Sequence, residues 1–182
     1  YLYAVPTVQN PTGTVMPEER RLEFLKLAGQ FDVPIFEDDC YADLTFDGRR
    51  PRAIRALDED GRVIFCGTFS KTIAPALRVG YLVAEWGILS RMLAVKRDGG
   101  SGALEQMVLG EYCPEHFEEH IVGLRSILKN KCDAMVEALA AAFGTTAEVK
   151  MPKGGIFVWV TLPDSVDTMK LFEAAGAEGI AI

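Results

Sequence analysis

Residues 67–81 read GTFSKTIAPALRVGY, and the rest of the chain is organised around this stretch. The apolar run VIFC at 63–66 leads into it, and a second apolar run, YLVA, follows at 81–84. Short apolar runs bounded by turn residues are typical of buried strands, so the sequence predicts two strands joined by a loop. The connection is too short, and too interrupted by Pro75, to be an ordinary helix.

The polar side chains of this loop suit a phosphorylated ligand. Arg78 offers a fixed fork of N–H donors to a phosphate, and the hydroxyls of Thr68 and Ser70 can add neutral hydrogen bonds. Lys71 lies between them. An apolar setting would destabilise its ammonium form, and the free amine could then condense with a carbonyl. The alternative is a strand–loop–strand with an incidental surface lysine, since most lysines are solvated.

Composition restricts the class of protein. Of 182 residues, 49% are hydrophobic and 25% charged, which is ordinary for a soluble globular domain. A net charge of −7 argues against a nucleic-acid-binding surface, and no apolar run is long enough to span a bilayer. The four cysteines are scattered without the paired spacing of a zinc or redox site. They favour a reducing compartment, and we predict a cytoplasmic protein.

The first half of the chain alternates between strand and helix patterns. Strands are predicted at 1–5, 33–36 and 63–66, with an amphipathic helix at 17–30. This alternation favours an α/β fold with a mostly parallel sheet, in which ligands bind beyond the carboxyl ends of the strands. Several polar residues follow predicted strand ends: Asn10, Asp38, Tyr41, Thr68, Ser70 and Lys71.

The second half has a helix and strand pattern of its own. Its predicted elements are helices at 88–95, 103–112, 115–143 and 167–175, a short strand near residue 149 and a strand at 156–162. We therefore predict a large domain over 1–114 and an α+β small domain over 115–182, both partial. Both ends of the chain lie in strand-like runs, so we expect a piece of a longer polypeptide.

Three motifs and their order resemble one family. They are NPTG at 10–13, D-x-x-Y at 38–41, and SK at 70–71 followed by R-x-G at 78–80. A G-G-x-F-x-W pattern follows at 154–159. Each motif alone is weak, but together, in this order and spacing, they are specific. The chain resembles the class I/II aminotransferases, which are pyridoxal-phosphate (PLP) enzymes of fold type I. It is most similar to the branch of 2-aminoadipate and multi-substrate aminotransferases.

The resemblance implies a role for each motif residue. Lys71 would hold PLP through a Schiff base, and its released amine would move a proton between the substrate and the cofactor. Asp38 would pair with the pyridine nitrogen and keep it protonated. Tyr41 and Asn10 would hydrogen-bond the phenolic oxygen of PLP.

Three residues would hold the phosphate of PLP: Thr68, Ser70 and Arg78. Two acidic neighbours of Asp38, Glu37 and Asp39, are expected to face backbone or solvent groups rather than the cofactor.

The resemblance also implies partners. An amino acid and a 2-oxo acid would be the substrates, and a homodimer would share residues between its active sites. The arginine that binds the substrate carboxylate is expected beyond Ile182. The residue that stacks on the cofactor ring, and a further phosphate-binding turn, are expected before Tyr1. The 182 residues alone should therefore not be a complete catalyst.

Other functions fit the same motifs. A PLP-dependent β-lyase or decarboxylase would use the same residues, because the fold does not fix the reaction. The chain could also belong to the PLP-binding effector domain of a MocR-type transcription regulator. A winged helix-turn-helix segment upstream of Tyr1 would favour the regulator, and a plain N-terminal arm would favour the enzyme.

One further pattern is HFEEH at 116–120, which matches the H-x-x-E-H motif of a zinc-peptidase class. His116 and His120 would lie one helical turn apart, a usable geometry for zinc ligands. No third ligand is identifiable, however, and acidic residues are common where a helix begins. The pattern is better explained as the start of an amphipathic helix, and we predict no metal site.

Overall fold

A four-stranded sheet forms the first half of the fold in the computed structural model, which describes residues 1–181. Its strands, in spatial order, are β1 (Leu2–Ala4), β2 (Ile35–Asp38), β3 (Val63–Thr68) and β4 (Gly80–Val83). The first three strands run parallel, and β4 pairs with β3 antiparallel. The predicted α/β fold with a mostly parallel sheet is confirmed.

The register of this sheet brings polar residues to one edge. Asp38, the last residue of β2, pairs with Cys66 of β3, and β3 continues to Thr68. Asp38 and Thr68 were expected just after their strands, but both lie within them. Both strands end two residues later than predicted because the ladder continues into the polar residues: the Asp39 N–H, for example, donates to the Cys66 carbonyl at 2.9 Å.

Two helices cover one face of this sheet, namely α1 (Glu18–Gln30) and the short α2 (Ile54–Leu57). Their apolar side chains pack with those of the strands in a cluster whose buried members are Ala28, Ile35, Ile54 and Val63. Leu22, also on α1, is 49% exposed.

Arg21 takes a buried position on α1 instead, at 1% exposure. Its guanidinium donates to the carbonyls of Met16 and Arg52, each at 2.9 Å, and to Pro6 at 3.2 Å. It also donates to the Thr7 hydroxyl at 2.9 Å. A buried cation is stable only when its donors are satisfied. Arg21 therefore fixes the segment that leads from β1 towards Asn10 against the helix.

The second half contains one long helix rather than the two that we predicted. After α3 (Trp86–Val95), α4 runs from Ala103 to Phe143 and passes through Pro114. A proline removes one backbone donor, but a helix of this length tolerates that loss through its other bonds and its packing. The prediction of two helices separated near residue 114 is wrong. The domain boundary placed there stays a prediction.

A small sheet and a last helix complete the described chain. β5 (Glu148–Lys150) pairs antiparallel with β6 (Trp159–Thr161), and α5 spans Thr168–Ala177. The strand expected at 156–162 is thus shorter than predicted. Residues 178–181 form a turn and an irregular segment, and the end of the strand-like run at Ile182 lies outside the described residues.

The glycine pair at 154–155 packs directly against the backbone near the first sheet. The Gly155 N–H donates to the Leu44 carbonyl at 3.0 Å. A side chain at Gly154 would place its Cβ 2.4 Å from the Leu44 oxygen and 2.7 Å from the Thr45 Cα. Only glycine allows this approach. It also brings Phe157 against the ring of Tyr41.

A second apolar cluster joins residues from the two predicted domains. Val8, Tyr41 and Leu44 come from the loops at the sheet edge, and Ile121 comes from α4. All are at most 4% exposed.

No helix of residues 1–181 has both the length and the apolar character required to cross a bilayer.

Candidate active site

Three of the predicted cofactor ligands meet at one cavity. Asp38 ends β2, Tyr41 follows it in the next turn, and Asn10 lies in the turn after β1. Their side chains line a cavity of about 590 Å³ together with Tyr3. The parallel arrangement of β1 and β2 explains the meeting, because the carboxyl ends of both strands lie at the same edge.

Asp38 has a partner that sequence reasoning missed. The Tyr3 hydroxyl donates to Oδ2 of Asp38 at 2.5 Å, and the Tyr3 ring stacks on Phe36 with centroids 6.1 Å apart. The bond to the Asp38 carboxylate, and secondarily burial, raise the pKa of Tyr3, since both favour the protonated hydroxyl. Tyr3 pairs with Phe36 in the sheet register, and Phe36 and Asp38 point to the same face. The contact between Tyr3 and Asp38 follows from the pairing of β1 with β2, and a local sequence pattern does not show which strands pair.

Tyr41 is 4% exposed, with its ring edge-on to Phe157 at 5.9 Å. Burial, assisted by the neighbouring Cys40 thiol, raises the pKa of Tyr41 to about 12, and the Asn10 side chain opposes that rise. The hydroxyl therefore keeps its proton at neutral pH and can donate a hydrogen bond.

The turn that carries Asn10 is held by Gln9 and closed by Gly13. The Thr12 N–H donates to the Gln9 side chain at 3.0 Å, and the Gly13 N–H donates to the Gln9 carbonyl at 2.7 Å. Gly13 has a φ of +66°, and a Cβ there would lie 2.7 Å from that of Pro152. The glycine of the NPTG motif is therefore required both by the turn and by the chain packed on it.

The hydroxyls of Thr68 and Ser70 lie together at the start of the lysine loop, 3.0 Å apart. Thr68 Oγ1 also accepts from the Ser70 N–H at 3.1 Å. The loop then turns, because the N–H groups of Ile73 and Ala74 both donate to the Phe69 carbonyl, at 2.9 and 3.1 Å. β3 lies beside β2, so this loop leaves the same edge of the sheet as the cavity.

Lys71 and Arg78 lie on the exposed side of this loop. Within residues 1–181, Lys71 makes no hydrogen bond or ion pair, and these residues leave it exposed instead of providing the apolar surroundings expected for it. Arg78 has a φ of +53°, in the left-handed region, and its Nη1 donates to the Pro75 carbonyl at 3.2 Å. The Ser101 hydroxyl donates to the Arg78 carbonyl at 3.4 Å.

The acidic neighbours of Asp38 point elsewhere. Glu37 is fully buried, and its carboxylate accepts from the N–H groups of Ile54 at 2.7 Å and Arg55 at 2.8 Å. This agrees with the expectation that Glu37 faces backbone groups. Burial raises the pKa of Glu37 despite these bonds. Asp39 differs from the expectation, since it pairs with the Arg50 side chain at 2.8 Å.

No cluster of three or more His, Cys, Asp or Glu side chains suited to a metal ion forms within the described part of the chain. His116 and His120 both contact the ring of Tyr112, with centroid distances of 5.1 and 6.1 Å.

Residues 3–182 match the family model of aminotransferase class I and II. This chain belongs to the class I and II aminotransferase family, as the motifs predicted.

Two solved structures give the fold. The chain is 41% identical to kynurenine aminotransferase from Pyrococcus horikoshii in complex with PMP, with a TM-score of 0.92 over 98% of this chain. It is 33% identical to LysN, the α-aminoadipate aminotransferase from Thermus thermophilus, with a TM-score of 0.93 over 100% of this chain. The predicted fold of a PLP enzyme of type I is confirmed by these likenesses.

A curated relative of another kind is also similar. The chain is 37% identical, over 94% of its length, to the uncharacterised HTH-type transcriptional regulator YisV from Bacillus subtilis. The chain spans 45% of the kynurenine aminotransferase, 48% of LysN and 36% of YisV.

Proposed function

We propose that this chain is the cofactor-binding part of a PLP-dependent aminotransferase, which moves an amino group from an amino acid to a 2-oxo acid. One observation carries the proposal: a carboxylate, a tyrosine hydroxyl and an amide line one cavity at the sheet edge from which the lysine loop also leaves. The carboxylate is that of Asp38, the hydroxyl that of Tyr41 and the amide that of Asn10. The loop carries Lys71.

The chemistry of this donor set fits PLP. The carboxylate suits a protonated pyridine nitrogen, the hydroxyl and amide suit a phenolate oxygen, and the hydroxyl pair with Arg78 suits a phosphate. When bound, PLP would supply an electron sink for the carbanion formed at the substrate α-carbon. A cavity of about 590 Å³ falls within the size range of cofactor sites.

Asp38 would hold the ring nitrogen, and Tyr3 would position Asp38. The Tyr3 hydroxyl binds Oδ2 of the carboxylate, which leaves Oδ1 for the nitrogen. A carboxylate held by a second group keeps its orientation, so less entropy is lost in fixing it when the ligand binds.

Tyr41 and Asn10 would stabilise the negative oxygen of the ring. With a pKa of about 12, Tyr41 remains a hydrogen-bond donor throughout the neutral range. The Asn10 amide offers a second donor from the opposite turn. Two donors directed at one oxygen favour its anionic form.

Lys71 would hold the cofactor covalently and, once released, carry a proton at its Nζ atom. A lysine does this as a free amine, which requires apolar or cationic surroundings. Lys71 is exposed in this chain, so the rest of the polypeptide or a second subunit would have to cover it. Cover from a second subunit would make the active sites shared, as in the proposed homodimer.

Arg78 would complete the phosphate site with Thr68 and Ser70. A non-glycine residue in the left-handed region costs about 1 kcal/mol or more, and such residues are common at ligand sites. The φ of +53° at Arg78 is such an outlier.

A second function is favoured by the similarity to YisV, which is described as a transcriptional regulator. The chain could be the PLP-binding part of such a regulator, with the same residues holding the cofactor. A β-lyase or decarboxylase would also use them.

We place the protein in the cytoplasm, a proposal supported by the free state of Cys40, Cys66, Cys113 and Cys132.

Absorbance of the full-length protein with PLP tests these functions. Addition of an amino acid should convert the bound PLP to its pyridoxamine form, and a 2-oxo acid should restore it. A spectrum that changes with amino acids but never reaches the pyridoxamine form would favour the regulator. A protein that binds no PLP would contradict both.

A further inference from the structure

Helix α4 contacts the lysine loop through His120. Its Nε2 atom lies 2.9 Å from the carbonyl oxygen of Thr72, the residue directly after Lys71. Thr72 is only 3% exposed, so its carbonyl has little access to water. A buried carbonyl needs a partner, and His120 supplies it.

The chemistry of this bond places a proton on Nε2 of the imidazole. A carbonyl oxygen only accepts, so Nε2 must carry a proton and donate. In the neutral imidazole Nδ1 is then an acceptor, and the Tyr112 hydroxyl lies 3.3 Å from it. The two rings also meet edge to face, with an interplanar angle of 85°. Tyr112 therefore holds His120 in the tautomer that binds Thr72.

The position of Lys71 depends on the backbone that His120 binds. The lysine side chain makes no polar contact within residues 1–181, so the turn that contains it sets the Cα from which its amine can reach a ligand. One side of this turn is closed by the bonds from Ile73 and Ala74 to the Phe69 carbonyl. The other side carries the Thr72 carbonyl, which is fixed by the bond from α4.

We propose that His120 is a positioning residue for Lys71, acting through the Thr72 carbonyl and oriented by Tyr112. The inference rests on the proposed function, because it assigns His120 a part in holding the lysine that binds PLP. His120 does not touch the cofactor itself. This role accounts for the half-buried, hydrogen-bonded position of the second histidine of the HFEEH pattern.

His116 provides a matched control. It lies one helical turn before His120 on the same helix, is exposed, and packs on the same Tyr112 ring at 5.1 Å. It makes no hydrogen bond to the lysine loop within the described residues. A change at His116 removes a histidine from this surface but leaves the bond to the Thr72 carbonyl intact. A change at His120 removes that bond as well.

The experiment compares PLP binding by full-length variants: His120→Leu, His120→Gln and His116→Leu. Affinity is measured by titration of the apo protein, and the linkage to Lys71 by borohydride reduction followed by peptide mass. His120→Leu should weaken PLP binding about fivefold and slow the linkage similarly, as for the loss of one hydrogen bond. His120→Gln should restore most of both, because its amide nitrogen can donate to the carbonyl. His116→Leu should change neither.

A double-mutant cycle separates positioning from a general structural role. In a Lys71→Ala background, His120→Leu should have no further effect on PLP affinity if it acts only through the lysine. An equal loss in both backgrounds would overturn the proposal. Circular dichroism checks folding, and if His120→Leu does not fold, Tyr112→Phe replaces it and should give a weaker effect in the same direction.

The remaining outcomes are also decisive. Wild-type protein that links to PLP, with His120→Leu indistinguishable from it, overturns the positioning role and leaves the proposed function intact. Wild-type protein that forms no linkage at Lys71 overturns both.

Discussion

The cavity at Asp38 and the loop at Lys71 lie at the same edge of one sheet, but they differ in how many of their side chains are held by contacts within this chain. Asp38 has its partner in Tyr3, and Tyr41 is buried against Phe157, so both are fixed within this chain. Lys71 is exposed, and its backbone is held mainly by neighbours in the loop and by one histidine. The proposed site for the cofactor ring is thus preformed within this chain, whereas the proposed site of covalent attachment at Lys71 is exposed.

The largest effect should come from Lys71→Ala in the full-length protein. Loss of the amine removes both the covalent link and the proton carrier, so transamination should fall by about 10⁴-fold. PLP should still bind noncovalently in the preformed cavity. Turnover is measured with an amino acid and 2-oxo acid pair. Turnover at the wild-type rate by this variant would contradict the assignment of covalent attachment and proton transfer to Lys71.

Asp38→Asn should have the next largest effect. An amide cannot stabilise a protonated ring nitrogen as a carboxylate does, and we expect transamination to fall by about 10²- to 10³-fold. The measurement is kcat together with the absorbance of bound PLP.

The adjacent Asp39 is the matched control for this change. Asp39→Asn breaks the ion pair with Arg50 at 2.8 Å but touches nothing in the cavity. It should lower the free energy of unfolding by about 1–3 kcal/mol and leave PLP affinity unchanged. Equal effects of the two changes on PLP affinity would contradict the assignment of Asp38.

Tyr3→Phe tests whether the cavity is preformed by its own contacts. The ring and its stacking on Phe36 remain, and only the hydroxyl bonded to Asp38 is lost. We expect PLP affinity to fall about tenfold, as for a hydrogen bond to a charged group. Titration of the apo protein with PLP measures this. Wild-type PLP affinity in this variant would show that the hydrogen bond from Tyr3 on β1 does not contribute to holding Asp38 for the cofactor.

The smallest effect concerns the titration of Tyr41. Its folded-state pKa of about 12 lies above the ordinary value of 10.0, so the protonated hydroxyl favours the folded state. This contribution is complete below pH 10 and is lost as the pH rises towards 12. The difference in phenolate absorbance between the apo protein and Tyr41→Phe should correspond to a tyrosine that ionises near pH 12. Tyr3 and Tyr81, whose pKa values are also raised, ionise late in both proteins and cancel in the difference. A Tyr41 that ionises near pH 10 would indicate an exposed ring.

Local sequence patterns predicted most of the secondary structure but few of its ends. The strand pattern before Asp38 stops at Phe36, whereas β2 continues to Asp38 because β3 supplies a ladder partner. Pro114 indicated a helix boundary, yet α4 passes through it. In each case a tertiary or long-range interaction outweighed a local preference.

The sequence by itself determined the family and the α/β fold, because its motifs are contiguous and their order is specific, and it supplied the polar residues of the proposed site. Only the tertiary structure revealed the partners that hold them. Tyr3 and Asp38 are 35 residues apart along the chain, and Thr72 and His120 are 48 apart. Such pairs carry no local signature, since hydrogen bonds between distant residues depend on sheet register and helix packing, which only the folded chain defines.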